Sequence, residues 1–219
     1  KLKNSNTKFY VLLFAVAFAL YSNTFSHGFV LDDDVVYLQN RFVQQGIKGI
    51  PNILSHGFLY GFNQKNDQSY RPLVLINFAV TKEIFGNNPQ AHHRLNVIYY
   101  GILCCLMFWF LHLLFDRNRP WIAFWICLLY ACHPIHTEVV ANIKGRDDII
   151  HAIFLVFSFI LSFLYLDKIR PYLLVLGLLS YFFALLSKEV AVTFIALLPL
   201  SIWTFRKVDW KEILKLSAF

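Results

Sequence analysis

The stretch FVLDDDVVYL (Phe29 to Leu38) sets three adjacent carboxylates, Asp32, Asp33 and Asp34, between apolar flanks. Acids at a helix C-terminus meet the unfavourable end of the helix dipole. A merely solvated end has little use for three of them between Val30 and Val35. Acidic groups beside an apolar slab are costly and mark function. Like charges this close raise at least one pKa, which suits a general base, and a metal ligand is the other role open to them. A second cluster, HPIHTEVVANIKGRDD, holds His133, His136, Glu138, Asn142, Lys144, Arg146, Asp147 and Asp148, with His151 just beyond. Pro134 suits the first turn of a helix, on which Glu138, Asn142 and Arg146 would share one face and Asp147 and His151 would pair likewise. His133, His136 and Glu138 are the residue types of a zinc site, but their spacing matches no zinc motif, and no metal ligands are assigned. An ordinary outer loop with capping residues is the plain alternative. Lys188 and Glu189 interrupt a later apolar run, and Arg71, His92, His93 and Arg94 add positive charge. Lys188 and Glu189 read either as a buried ion pair or, with the other cations, as a grip on a lipid phosphate at the membrane surface.

The elements that must position these residues are membrane helices. The chain has 219 residues, 58% apolar and 15% charged, against about 45–50% and about 25% in soluble domains. The net charge of +7 sits at the ends of apolar runs, not in a stripe, so nucleic acid is excluded as a partner. Cys104, Cys105, Cys127 and Cys132 lie in apolar segments and read as free thiols. A span needs about 17–25 mainly apolar residues. Six candidates follow: 9–25, 95–115, 121–132, 149–166, 172–186 and 190–205. The first is read as a retained helix and not a cleaved signal, because no small-residue cleavage site follows it. Residues 26–94 form a large first loop. Within it RPLVLINFAVTKEIFG (Arg71 to Gly86) is too short to span and amphipathic enough to lie on the membrane surface. Residues 1–219 are thus expected to be one transmembrane domain, all-α and polytopic, with short amphipathic helices in the large loop. The run EILKLSAF at the end reads as the start of another helix of a longer chain.

Orientation follows from charge. With Arg71–Gly86 not crossing, Lys1, Lys3, Lys8, Arg117, Arg119, Lys168, Arg170, Arg206, Lys207, Lys211 and Lys215 share the cytoplasmic side. Only Lys144, Arg146 and Lys188 occupy the short outer connections. This arrangement puts the Asp32–Asp34 cluster, the His133–Asp148 connection and Lys188–Glu189 on the same extracytoplasmic side, where they could face one another.

In order along the chain, FVLDDD, SYRPLVLINFAV, HHRLNVIYYG, ACHPIHTEVVANIKGRDD and LLSKEVAVT resemble the membrane portion of the transmembrane-and-tetratricopeptide-repeat O-mannosyltransferases and their bacterial relatives. These are polytopic glycosyltransferases of the GT-C superfamily. The resemblance runs from about Phe29 to Pro199, and its specificity lies in the joint occurrence of the motifs. It implies a GT-C-like helical bundle in a bacterial inner membrane or the endoplasmic reticulum. It implies inverting transfer, on the extracytoplasmic or lumenal side, of a sugar such as mannose from a polyprenyl- or dolichyl-phosphate donor. The acceptor would be a hydroxyl of a protein Ser/Thr or of a glycan. No cofactor beyond the lipid-linked donor is implied with certainty, and a divalent metal stays open. The family's acidic pair corresponds to Asp32 and Asp33, either of them the expected base, with Asp34 an additional acid. Arg71, His133, His136, Glu138, Arg146, Lys188 and Glu189 occupy motif positions and are the expected donor-phosphate and substrate-binding residues. The family often has Ala-Glu after its Gly-Arg pair where this chain has Asp147 and Asp148. Further spans and a C-terminal repeat domain are also expected of the family. Two other classes compete: a transporter or lipid flippase, which would show internal repeats and mid-membrane polar groups, and a non-catalytic subunit of a membrane complex.

Overall fold

The computed structural model describes residues 6–65, 68–115 and 119–206. Every regular element among them is helical. The chain begins with α1 (Thr7–Tyr21), which tightens into a 3-10 turn over Ser22–Ser26. The large loop then folds into α2 (Arg41–Gln44), α3 (Ile50–Ser55), α4 (Tyr60–Asn63) and α5 (Pro72–Phe85). There follow α6 (Pro89–Leu114), α7 (Pro120–Cys132), α8 (His136–Ala141), α9 (Arg146–Lys168), α10 (Pro171–Ser187) and α11 (Phe194–Arg206).

Four stretches are long and apolar enough to cross a membrane: Thr7–Ser26, Pro89–Leu114, Arg146–Lys168 and Glu189–Arg206. Pro120–Ala131 and Pro171–Ser187 are shorter apolar helices. The protein is a multi-pass membrane protein. Many apolar side chains on these helices face outward, among them Leu129, Leu178 and Ile195, as a helix in lipid requires. Lys1, Lys3, Arg117, Lys207, Lys211 and Lys215, on which the charge count leans, lie outside the described residues.

Proline starts α5, α6, α7 and α10, where its missing N–H costs nothing. Asn88 caps α6 by accepting from Gln90 N at 3.0 Å. α9 packs along α10 and α6, and α1 along α6 and α7. Between α9 and α10, Ser158 Oγ donates to the Gly177 carbonyl (2.9 Å) and Ser180 Oγ to the Phe154 carbonyl (2.7 Å). Small and hydroxyl residues tie membrane helices in this way, because apolar surface gains little from leaving lipid.

The large loop is not an open connection. Val36, Tyr37, Phe42, Val43, Ile53, Phe58, Val74, Leu75, Phe78 and Ala79 form a core of their own, closed by Ile143 from the α8–α9 turn. α5 supplies one face of that core through Val74, Leu75, Phe78 and Ala79, matching its amphipathic sequence. The four cysteines are free, as their apolar settings imply, with Cys104 and Cys127 buried.

The helix expected to run from Pro134 through Arg146 is broken. α8 ends at Ala141, Asn142 is extended (φ −94°, ψ 127°), and α9 begins at Arg146. Glu138, Asn142 and Arg146 therefore share no face. Gly145 permits the break, since its Cα packs so closely on the Val139 backbone that a Cβ has no room. α9 also starts three residues before the expected span, which puts Asp147 and Asp148 in its first turn, where the helix dipole favours them.

Candidate functional site

The carboxylate triplet sits on a strained turn. Leu31 has φ +47° and is 84% exposed. A non-glycine residue held there costs roughly 1–3 kcal/mol and persists only when its surroundings enforce it. Here Asp33 does the enforcing. Its Oδ2 accepts from Val30 N at 3.0 Å and its Oδ1 from Lys144 N at 2.8 Å. Asp33 is completely buried. It staples the first loop to the α8–α9 turn. Burial pushes its carboxyl above the usual carboxylate range, an effect opposed by the two N–H groups and by His93 and Arg146. Asp34 opens a π-helical turn (Asp34–Leu38) in which its carbonyl accepts from Gln39 N at 2.7 Å. Asp32 and Asp34 are exposed.

Asp32 lines a cavity of about 290 Å³ with Val35, Val36, Phe58, Ser69, Arg71 and Lys144. The lining thus combines one carboxylate, without an ion pair among the described residues, with two cations. Arg71, at the N-terminus of α5, stacks over Phe58 (5.2 Å) and pairs with two carboxylates. Its Nη1 lies 2.9 Å from Asp147 Oδ2, and its Nη2 lies 3.0 Å from Glu189 Oε2, with Nε donating to the same Glu189 carboxylate. Asp147 is buried and also faces Lys144 Nζ (3.5 Å) and Lys188 Nζ (3.9 Å). Lys188 in turn pairs with Asp148. Three cations and three carboxylates from α5, the α8–α9 turn, α9 and the break after α10 form one network. Such a network draws together the first loop, the second polar cluster and Lys188–Glu189.

Arg146 has a different place. It is completely buried, and its five N–H groups are matched by five acceptors. Nε donates to Asn96 Oδ1 (2.7 Å), Nη1 to Asn77 Oδ1 (3.1 Å) and Thr81 Oγ1 (3.3 Å), and Nη2 to His92 Nδ1 (3.2 Å) and the His92 carbonyl (3.0 Å). It also lies 4.8 Å from the Phe78 ring. Arg146 joins α5, α6 and α9 and has no donor left for a phosphate. His133 and Glu138 are exposed, and neither lines the Asp32 cavity. His136 packs on Tyr130 (ring centroids 4.2 Å apart) and Tyr100 (5.6 Å), away from that cavity. Burial, then the nearby His133, holds its imidazole below the ordinary histidine range.

Two residues central to the geometry were not singled out by motif. Lys144 lines the Asp32 cavity and offers its backbone N–H to Asp33, and Asp147 anchors the three cations. The signal available for both was their place in a polar run set against apolar helices. Among the described residues, no group of three or more His, Cys, Asp and Glu side chains is arranged to hold a metal ion.

Known proteins with the same sequence pattern carry the same stretch. Protein O-mannosyl-transferase TMTC2 of Mus musculus is 30% identical over 215 residues, covering 91% of this chain and 24% of its own. TMTC1 of Homo sapiens is 29% identical over 194 residues, 83% of this chain and 22% of its own. TMTC3 of Mus musculus is 28% identical over 163 residues, 73% and 17%. The chain is a relative of the TMTC proteins. It spans only about a fifth of their length. No family model and no solved structure matches it. The likeness to mouse TMTC2, over 91% of the chain, takes in both the first loop and the Lys188 break.

Proposed function

We propose that this chain is the membrane part of an inverting glycosyltransferase that moves a sugar from a polyprenyl-phosphate carrier to an acceptor hydroxyl, with Asp32 as the general base. The observation that carries this reading is the Asp32 cavity, in which an exposed carboxylate shares one small space with Arg71 and Lys144. A base must reach the proton it removes. Asp32 is open to the cavity, whereas both Asp33 oxygens are held by backbone N–H groups. Leaving phosphate needs cations placed where its charge develops. Among the described residues the Lys144 ammonium makes one long ion pair, so it retains donors for that task. Arg71 is held rigid by Phe58 and Asp147, and the half-exposed Glu189 is the partner that an incoming phosphate would displace.

The names of the TMTC relatives support a sugar donor, with mannose the first candidate, and a protein Ser/Thr acceptor. A lipid carrier is supported by an apolar groove of about 400 Å³ between α5, α6 and α9, lined by Leu73, Ile76, Val80, Ile102, Ile153 and Phe154. Arg71 opens the helix whose next turns wall that groove, so phosphate grip and tail groove lie on one element. The charge bias of the loops supports an extracytoplasmic or lumenal site.

The test is transfer by the full-length protein in nanodiscs from a panel of polyprenyl-phosphate sugars to Ser/Thr peptides and glycans, with the product anomer read by NMR. Product with inverted configuration is expected. A product that retains the donor's configuration would remove the single-displacement mechanism, and tight binding of the lipid with no transfer to any acceptor would favour a carrier-lipid transporter.

A further inference from the structure

A second cavity, of about 260 Å³, lies at the other end of the ion network, lined by Tyr100, Tyr130, His136, Val139, Asp148 and His151 together with Leu103, Ile149 and Ala152. Its size falls just below the roughly 300–1,000 Å³ of pockets that hold drug-sized ligands. It is neither a plain packing void nor a charged funnel. Two aromatic rings and the imidazole of His136 make one wall: Tyr100 and Tyr130 lie nearly parallel (6.3 Å, 24°), with His136 against both. Asp148 and His151 bring an acceptor-only carboxylate and an imidazole from the first turns of α9.

These groups are already oriented. Lys188 holds Asp148 from outside the cavity, through the network that ends at Arg71. His151 Nδ1 faces the Ala184 carbonyl at 3.5 Å, which sets the proton on Nδ1 and makes Nε2 an acceptor. The Tyr100 hydroxyl donates to the carbonyls of Tyr130 and Ala131 (3.4 and 3.2 Å) and the ring is buried, so Tyr100 backs the wall and offers no polar group to a ligand. Aromatic rings sharing one cavity with a carboxylate and an imidazole match a molecule with C–H groups on one side and several hydroxyls around its edge. A phosphate would be repelled by Asp148, and a purely apolar ligand would bring no donor to Asp148 Oδ2 or to His151 Nε2.

We propose that this cavity is a subsite for one hexopyranose ring, with Asp148 and His151 accepting from ring hydroxyls and Tyr130 and His136 covering the apolar face. This inference rests on the glycosyltransferase reading for its biological setting. Its geometry makes Lys188 the joint between the two cavities: the ammonium touches the sugar-side Asp148 and the phosphate-side Asp147. The ring can come from the lipid-linked donor or from a glycan acceptor.

Equilibrium binding separates these cases without relying on turnover. Full-length protein in nanodiscs would be titrated with polyprenyl-phosphate mannose, polyprenyl-phosphate glucose, sugar-free polyprenyl phosphate and free methyl mannopyranoside. Two variants are informative. Ala152→Phe fills the cavity without changing a polar group, and Tyr130→Phe removes one hydroxyl and keeps the ring. If the ring is the donor's, Ala152→Phe weakens the sugar-bearing lipids at least tenfold and leaves sugar-free lipid unchanged. Tyr130→Phe, which keeps the ring that covers the apolar face and removes only a hydroxyl the sugar does not use, leaves them within about twofold. If it is the acceptor's, the same losses fall on methyl mannopyranoside alone. Equal weakening of sugar-bearing and sugar-free lipid would overturn the subsite, as would no change in any arm. Wild-type protein that discriminates sugar-bearing from sugar-free lipid but transfers nothing would sink the transferase reading and leave the subsite standing.

Discussion

Asp32 and Asp33 are adjacent in sequence and opposite in circumstance, so the same substitution at each must give different results. In Asp32→Asn an exposed carboxylate becomes an exposed amide, and no hydrogen bond or ion pair among the described residues is touched. Stability should stay within about 0.5 kcal/mol of wild type, as for surface changes in general. Loss of a general base lowers rate by about 10²–10⁴-fold, and transfer should fall by that factor with donor binding retained. In Asp33→Asn the amide oxygen can keep Lys144 N (2.8 Å), but the NH₂ group then points at Val30 N, itself a donor. A buried donor left unpaired costs about 1–3 kcal/mol, and the turn at Leu31 loses what enforces it. Thermal unfolding of both variants in one detergent, beside initial transfer rates at a temperature where each is folded, checks the assignment. An Asp32→Asn protein with wild-type rate, beside an Asp33→Asn protein that is inactive at unchanged stability, would refute it and put the base at Asp33.

Three further outcomes follow from the same geometry. Arg146→Lys should unfold the α5–α6–α9 junction, because at least two of five buried acceptors lose their donor at about 1–3 kcal/mol each; any folded fraction, isolated by size-exclusion chromatography, should bind sugar-free polyprenyl phosphate like wild type. Arg71→Lys loses the forked contact to Asp147 and Glu189. Removing one partner of a buried pair costs about 3–5 kcal/mol, but Lys144 and Lys188 remain beside Asp147, so denaturation should show a smaller loss, while affinity for the lipid phosphate falls at least tenfold. Asp33 gives a pH signature: because burial raises its folded-state pKa, the folded chain takes up this proton before the unfolded chain does. Its favourable contribution is complete below the ordinary carboxylate pKa and is lost as pH rises through the raised value. Asp33→Asn should therefore flatten the stability profile across that interval above about pH 4.

The helices were legible in the sequence because lipid leaves the chain little choice. Runs such as LNVIYYGILCCLMFWFLHLLF must hydrogen-bond within themselves, and α7, α9, α10 and α11 lie within a few residues of the expected runs, while α6 begins six residues earlier. The first loop was harder to read. Apart from α5, its core is assembled from pieces of four to six residues, Phe42 and Ile53 among them, too short for any periodicity to declare itself. The break at Asn142 was hidden for a related reason. Residues 134–146 have an acceptable helical pattern, and what stops the helix is tertiary: Asn96 Nδ2 takes the Asn142 carbonyl at 2.8 Å, and Lys144 N turns to Asp33. A partner 46 residues away leaves no trace in a local pattern.

The same reason governs the site. Residue type and the grouping of the polar connections were readable, and they were enough to predict that the acidic triplet, the His133–Asp148 connection and Lys188–Glu189 have each other within reach. Role was not readable, because role is set by what each side chain finds. Arg146 and Arg71 are both arginines in motif positions. One finds five neutral acceptors in the interior and becomes a fastener; the other finds Asp147, Glu189 and an open cavity and keeps a charge where chemistry can use it. The triplet divides in the same way. Asp33 turns inward and fixes the strained turn, which holds Asp32 outward, so on the proposed reading a base at Asp32 depends on the neighbour that positions it. An acidic pair with this division of labour needs both members for activity, and only a stability measurement beside the rate distinguishes the one that reacts from the one that holds it.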